Sequence, residues 1–252
     1  MYTDFALVYD RLMQDVDYQG WADHYVALLQ LAGIKDGATV TECACGTGNL
    51  TLPLSTHYHM TGLDLSQEML SQAALKLKQA GRQVPLVCQD MQLLKVHKPQ
   101  DVILCTCDGI NYLTGFKGLS RFLGAAFLAL KPGGALAFDV SSLYKLSQML
   151  GDKTLTSTKG DSHYIWYNCW QPQASLLHMQ LHVYTRAPDL RFDYFVEEQR
   201  QRAYKPDDLM AALRCAGFVQ IQVFGGRTFQ VPRDKDERLH VLAIKPKEKE
   251  TA

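Results

Sequence analysis

This 252-residue sequence predicts an α/β fold: a doubly wound, mostly parallel seven-stranded sheet carrying an antiparallel β insert. Three observations carry that expectation. From Thr39 onward, short apolar runs alternate with helical stripes; between His163 and Tyr204 the pattern switches to period two; after Pro206 a helix and two strands complete the first rhythm. Strands separated by helices imply crossover connections, and these build a parallel sheet covered by helices on both faces.

The N-terminal region, residues 1–36, reads as helical. Tyr2, Phe5, Ala6, Tyr9 and Met13 recur at offsets of three and four, followed by Tyr18, Trp21, Ala22, Tyr25, Val26 and Leu29 in a second stripe. Gly33 and Gly37 punctuate the chain before the first apolar run. Strands are expected at 39–44, 59–64, 85–89, 101–107 and 134–140. Ser66 is placed to N-cap a helix bearing Met69, Leu70, Ala73, Ala74 and Leu77 and closing at Gly81. Leu119, Phe122, Leu123, Ala126, Phe127 and Leu130 form another stripe, stopped by Lys131-Pro132-Gly133-Gly134. Alternation of Leu177, Met179, Leu181 and Val183 with His178, Gln180, His182 and Tyr184, and turn chemistry at Gln171-Pro172 and Ala187-Pro188-Asp189, divide the insert into about three strands. A Pro206-led helix ending at Gly217 and strands at 219–224 and 239–244 follow. The expected organisation is a core of 37–142 and 205–246, an insert of 143–204 and a charged tail of 247–252.

Lys plus Arg and Asp plus Glu number 26 each, for a net charge of zero, and the charges are interspersed. Binding to nucleic acid or membrane driven by net charge is therefore disfavoured. A hydrophobic content of 47% is enough for a sizeable core and argues against disorder. The longest apolar run, at 122–130, falls far short of the roughly 20 residues that span a bilayer. Met1-Tyr2-Thr3-Asp4-Phe5 has no basic region of a signal peptide, so a cytoplasmic location is expected. The seven cysteines are an odd number. Cys43/Cys45 and Cys105/Cys107 are spaced CxC rather than CxxC, so these thiols and Cys88 are read as reduced core residues, with no metal site expected.

The chemistry gathers at strand ends. Glu42-Cys43-Ala44-Cys45-Gly46-Thr47-Gly48-Asn49 places two glycines between a strand and a helix, where backbone can approach a ligand closely. Thr51 stands where the third glycine of a GxGxxG loop would be, so a pyrophosphate-bearing dinucleotide is disfavoured. In Gly62-Leu63-Asp64-Leu65-Ser66 the acid can accept hydrogen bonds from vicinal ribose hydroxyls. Gln89-Asp90-Met91 offers a carboxylate for an exocyclic amine and a thioether for a ring face. Bland readings stand beside these: Asp90 as a turn former, Met69 as core, Asp108 as a cap, and the N-terminal aromatics as packing.

With Cys107-Asp108-Gly109-Ile110-Asn111-Tyr112 and Leu130-Lys131-Pro132-Gly133-Gly134 added, the sequence resembles the class I, Rossmann-like S-adenosylmethionine-dependent methyltransferases, densely over residues 39–140. The resemblance implies S-adenosylmethionine as cofactor, with Ala44, Gly46 and nearby backbone at its methionine end and Glu42 tuning the loop. It implies Asp64 on the ribose, Leu65 and Met69 flanking the adenine, Asp90 and Met91 at its edge, and Cys107 where cofactor and acceptor meet. The leading segment, with Tyr9, Asp10 and Tyr18, is similar to the N-terminal lid of small-molecule N-methyltransferases, and the insert occupies the place of their substrate cover. Tyr9 and Tyr18 are then lid contacts to the sulfonium, which aromatic faces attract. The acceptor is expected to be a small-molecule amine or hydroxyl, with Asp108 and Tyr112 as catalytic candidates. The alternatives are an RNA, DNA or protein methyltransferase, or a cofactor-binding protein without transferase activity. The loop at Cys107 lacks the Asn/Asp-Pro-Pro-Tyr/Phe signature of many nucleic-acid enzymes. The insert also offers a surface on which a homodimer could form.

Overall fold

The computed structural model describes residues 3–187 and 189–247; Tyr2, Pro188 and the tail beyond Lys247 lie outside them. Helices α1 (Thr3–Leu12) and α2 (Tyr18–Leu31) lead into the core. The core strands are β1 (Thr39–Cys43), β2 (His59–Asp64), β3 (Leu86–Cys88), β4 (Gln100–Cys105) and β5 (Leu130–Ser141), with helices α3 (Thr51–Leu54), α4 (Gln67–Gln79) and α5 (Phe116–Ala129) between them. The insert consists of β6 (Thr154–Lys159), β7 (Ser162–Gln171), β8 (Leu176–Arg186) and β9 (Phe192–Arg202), before α6 (Pro206–Cys215), β10 (Val219–Gly225) and β11 (Arg238–Ile244).

The seven core strands run in the order β10-β11-β5-β4-β1-β2-β3. Only β11 opposes its neighbours, pairing antiparallel with β5 and β10. Alternation along the buried strands sends Ile103, Leu136, Phe138 and Val241 to one side, against Leu119, Phe122 and Leu123 of α5 and Leu209 and Leu213 of α6. Val102, Leu104, Ala135 and Ala137 face the other side, against Tyr25, Leu28 and Leu29 of α2. Each such large apolar side chain, when fully buried, contributes about 1.5–3 kcal/mol. The Ser66 cap forms as expected: its Oγ accepts from Met69 N at 3.1 Å and starts α4.

Several expectations are corrected. The insert has four strands, because β6 joins the edge of its sheet. Its sequence, Thr154-Leu155-Thr156-Ser157-Thr158-Lys159, holds one apolar residue and gives no alternating signal. Leu130 does not end α5; it pairs with Gln100 in β4, and the extra residues around Gly133 are absorbed by a register shift before Ala135 meets Val102. In the segment expected to be a helical lid, Ala22, Tyr25, Leu28 and Leu29 of α2 are core. The fourth strand ends at Cys105 rather than at 107, for a reason given below. Cys88 is exposed, since β3 pairs only with β2 and forms the sheet edge.

Helix α1 ties core to insert. Phe5, Ala6 and Val8 pack with Met69 of α4 and Val183 of β8, and Arg11 donates to Ser162 Oγ at 2.9 Å. No helix among the described residues is long and apolar enough to cross a membrane.

Candidate functional site

The carboxyl ends of β1, β2 and β4 open into a cavity of about 280 Å³. Every residue expected from the sequence to hold the cofactor lines it: Tyr9, Tyr18, Glu42, Ala44, Gly46, Asp64, Leu65, Met69, Asp90, Met91 and Cys107. Ala44 and Gly46 adopt positive φ of 54° each, a left-handed backbone that turns the loop sharply. A Cβ at Gly46 would meet no atom within 4 Å, so the glycine leaves bare backbone and open space on the cavity wall. Gly48 serves packing instead: a Cβ there would lie 3.2 Å from Ala73 Cβ, which brings α4 close to the loop.

Asp64 fixes the loop as well as lining the cavity. Its Oδ2 accepts from Gly46 N at 2.7 Å and its Oδ1 from Ser66 N at 2.9 Å. Burial raises its pKa, a rise opposed by these backbone hydrogen bonds. Asp90 does both things its sequence position suggested: it lines the cavity and accepts from Gln92 N at 2.8 Å, capping a short 3₁₀ turn. Met69 likewise lines the cavity while packing in the α1 cluster. Leu65 is 68% exposed and stands at the rim.

Glu42 is buried beneath the loop and accepts from Thr51 Oγ1 at 2.5 Å and Thr106 Oγ1 at 2.7 Å. Burial pushes its pKa up to about 7 despite these two donors. Over the cavity, burial pushes the Tyr18 phenol up to about 12, and the Tyr9 phenol also rises, with burial again the main cause. Tyr9 belongs to the α1 cluster, with its ring edge-on to Phe5 at 5.5 Å. Helix α1 is latched here by Asp10, which accepts from Thr47 Oγ1 at 2.6 Å and Asn49 Nδ2 at 2.9 Å and pairs with Lys76 at 2.7 Å.

A second cavity of about 220 Å³ adjoins the first, sharing Phe5, Tyr9, Tyr18, Cys107, Tyr112 and Gln199 with it. Its remaining walls include Trp21 of α2, Tyr164 and Trp166 of β7, Met179 and Leu181 of β8, and Glu197 and Gln201 of β9. Tyr112 sits at the junction, and its hydroxyl donates to Gln199 Oε1 at 2.9 Å. Asp108 lines only the second cavity. Both its oxygens are engaged, one by Gln201 Nε2 at 2.8 Å and the other by Arg238 Nη1 at 2.7 Å. Its side chain makes no capping bond to the turn that follows.

The organising residue is Asp139, fully buried near the end of β5. Its Oδ1 accepts from Tyr25 Oη at 2.8 Å and Cys107 N at 2.7 Å. Its Oδ2 accepts from Asp108 N at 2.9 Å and from Arg238 Nη1. The two backbone bonds explain why β4 stops at Cys105: Cys107 and Asp108 turn left-handed, with φ of 52° and 58°, and direct their N–H groups to this carboxylate. Non-glycine residues pay about 1–2 kcal/mol each for that conformation, so it needs such an anchor. Burial disfavours the charge on Arg238, but Asp108 and Asp139 outweigh it and raise its pKa, and its guanidinium lies 4.8 Å over Trp21. The reading from sequence missed Asp139, although a lone acid inside the Phe138-Asp139-Val140 run was a visible sign that a charge would need burying. Nothing local marked Arg238 as its partner.

The fold and this strand-end cavity define a class I methyltransferase architecture. Residues 40–134 match the methyltransferase domain family. "Putative methyltransferase YqeM" of Bacillus subtilis strain 168 is 32% identical over 98% of both chains. The crystal structure of an S-adenosylmethionine-dependent methyltransferase from Clostridium acetobutylicum ATCC 824 is 31% identical, with a TM-score of 0.87, over 97% of this chain and 99% of that one. The sugar N-methyltransferase KedS8 of Streptoalloteichus sp ATCC 53650 shares the fold, with a TM-score of 0.76 at 19% identity over 96% of this chain and 93% of its own. The chain belongs to the S-adenosylmethionine-dependent methyltransferases.

Proposed function

We propose that the protein transfers a methyl group from S-adenosylmethionine to a small-molecule amine or hydroxyl bound in the second cavity. The observation that carries this reading is the position of that cavity. It lies between α1, α2 and the insert, and it shares a wall with the cofactor cavity at Cys107 and Tyr112. A recess walled from both sides suits a compact acceptor better than a base or side chain projecting from a polymer.

The first cavity suits the cofactor chemically, with bare backbone at Gly46 and a carboxylate at Asp64. Asp64 would take the ribose, Leu65 and Met69 the adenine faces, and Asp90 and Met91 its edge. Ala44, Gly46 and Glu42 would serve the methionine end, beneath Tyr9 and Tyr18. When bound, S-adenosylmethionine supplies an electrophilic methyl on a sulfonium. The protein's own contribution is alignment and exclusion of water, both of which the aromatic side chains on the walls, Tyr9, Tyr18, Trp21, Tyr164 and Trp166, favour. Tyr112, at the junction, would orient the acceptor, while Asp108, held by Arg238 and Gln201, would shape the acceptor wall.

Asp64→Ala is expected to weaken binding of S-adenosylhomocysteine by about 1.5–3 kcal/mol, the scale of hydrogen bonds to a charged group. Calorimetry on a folded mutant with unchanged affinity removes the ribose role. The acceptor class is tested by incubating the protein with methyl-labelled S-adenosylmethionine and, separately, a low-molecular-weight cell extract, transfer RNA and protein. Label is expected in the small-molecule fraction. Label confined to RNA or protein, or bound cofactor with no transfer to any pool, overturns the proposal.

A further inference from the structure

Ionisable side chains line both walls of the second cavity. On the insert side, Glu197 stands in one cross-strand row with Leu181 and Trp166. On the core side are Arg238, Asp108 and, just after β5, Lys145 in a single π-helical turn spanning Lys145–Leu150. Arg238 is already matched by Asp108 and Asp139. Lys145 is different: its backbone N–H donates to Ser142 Oγ, but its ammonium has no hydrogen bond or ion pair among the described residues. Burial is the main influence lowering its pKa, followed by Arg238; Asp108, Glu237 and Asp139 act in the opposite direction without removing the shift. A half-buried ammonium in a cavity whose walls include Trp21, Tyr164, Trp166, Met179 and Leu181 is poorly solvated, and an anion beside it would restore what water no longer supplies.

We propose that Lys145 is the anchor for an anionic group, carboxylate or phosphate, on the methyl acceptor, whose apolar or aromatic body lies between Trp21 and the Tyr164–Trp166 face of the insert. This inference deepens the proposed function and rests on it. Asp108, on the same wall, is already matched by Arg238, which leaves the Lys145 end as the place for the anion. Any lone pair destined for methylation then points away from Lys145, toward the shared wall at Cys107 and Tyr112.

The test uses the full chain saturated with S-adenosylhomocysteine and three probes of similar body: benzoate, phenyl phosphate and neutral benzamide. At least one of the two anions is expected to bind about tenfold more tightly than benzamide, the factor one charge-assisted hydrogen bond supplies, and the two anion arms distinguish carboxylate from phosphate. Lys145→Met should abolish the anion preference and leave benzamide affinity unchanged, whereas Lys145→Arg should retain it. Equal binding of all three probes to the unaltered protein, or a preference that survives Lys145→Met, overturns the inference. Should Lys145→Met fail to fold, loss of the preference in Lys145→Gln serves the same purpose, with retained S-adenosylhomocysteine binding as the control. Failure to bind S-adenosylhomocysteine at all is the separate failure of the methyl-transfer reading.

Discussion

Asp139→Asn is expected to destabilise the protein by about 3–5 kcal/mol, the range for removing one partner of a buried ion pair. The substitution preserves volume, so no cavity explains the loss. Each carboxylate oxygen receives two donors: Tyr25 and Cys107 on one, Asp108 and Arg238 on the other. An amide, whichever way it is turned, directs N–H groups at two of them, and it leaves Arg238 with Asp108 as its one remaining carboxylate partner. Tyr25→Phe removes only one donor to the carboxylate and should cost about 1.5–3 kcal/mol. Urea titration separates the two. A loss for Asp139→Asn no larger than that for Tyr25→Phe would show that the buried carboxylate is not the anchor of the Cys107–Asp108 turn.

The second large effect is on acid stability. His240 is fully buried on β11, its ring 4.4 Å from His24 and 5.4 Å from Trp21, and neither ring nitrogen finds a partner among the described residues. Burial, followed by His24, Arg238 and Arg227, pushes its pKa down to about 2. An unfolded histidine titrates near 6.5. Between those values the unfolded chain binds the extra proton, so the stability present above about pH 6.5 is lost as pH falls, at about 1.4 kcal/mol per pH unit. Glu42 works the other way: with its folded pKa raised to about 7, the folded state binds more protons between about 4.5 and 7 and gains stability as pH falls through that window. The two slopes oppose each other until Glu42 is fully protonated in both states. Below that, His240 acts without this opposition, and the unaltered protein should lose stability steeply. In His240→Leu, stability relative to the unaltered protein should grow by about 1.4 kcal/mol per pH unit below about 6.5. Repacking adds only a pH-independent offset, so the slope is the readout, and a difference that stays flat from pH 7 to 4 sinks the assignment.

The parts of the site legible in the sequence are those built from neighbouring residues. Ser66 capping α4, the glycine turn after β1 and the acids ending β2 and β3 are each fixed by a few consecutive residues, and the strand rhythm then brings these ends to one edge of the sheet. The parts that were not legible depend on distant partners. Arg238 meets Asp108 across 130 positions and Asp139 across 99. Asp10 reaches Thr47 across 37. Polar edge strands such as β6 carry no burial signal, because they have one neighbour and little to hide.

Sequence alone determined the order and type of the core elements, the open parallel sheet and the residues that line the cavity at its carboxyl edge, since periodicity and capping are short-range physics. Tertiary structure decided which side chains line the second cavity: that Asp108 is clasped rather than free, that Asp139 holds the turn beneath it, and that Lys145 and Glu197 line one recess. Such choices follow from strand register and from where a buried charge finds its counterpart, and both are settled only when segments far apart in the chain come together.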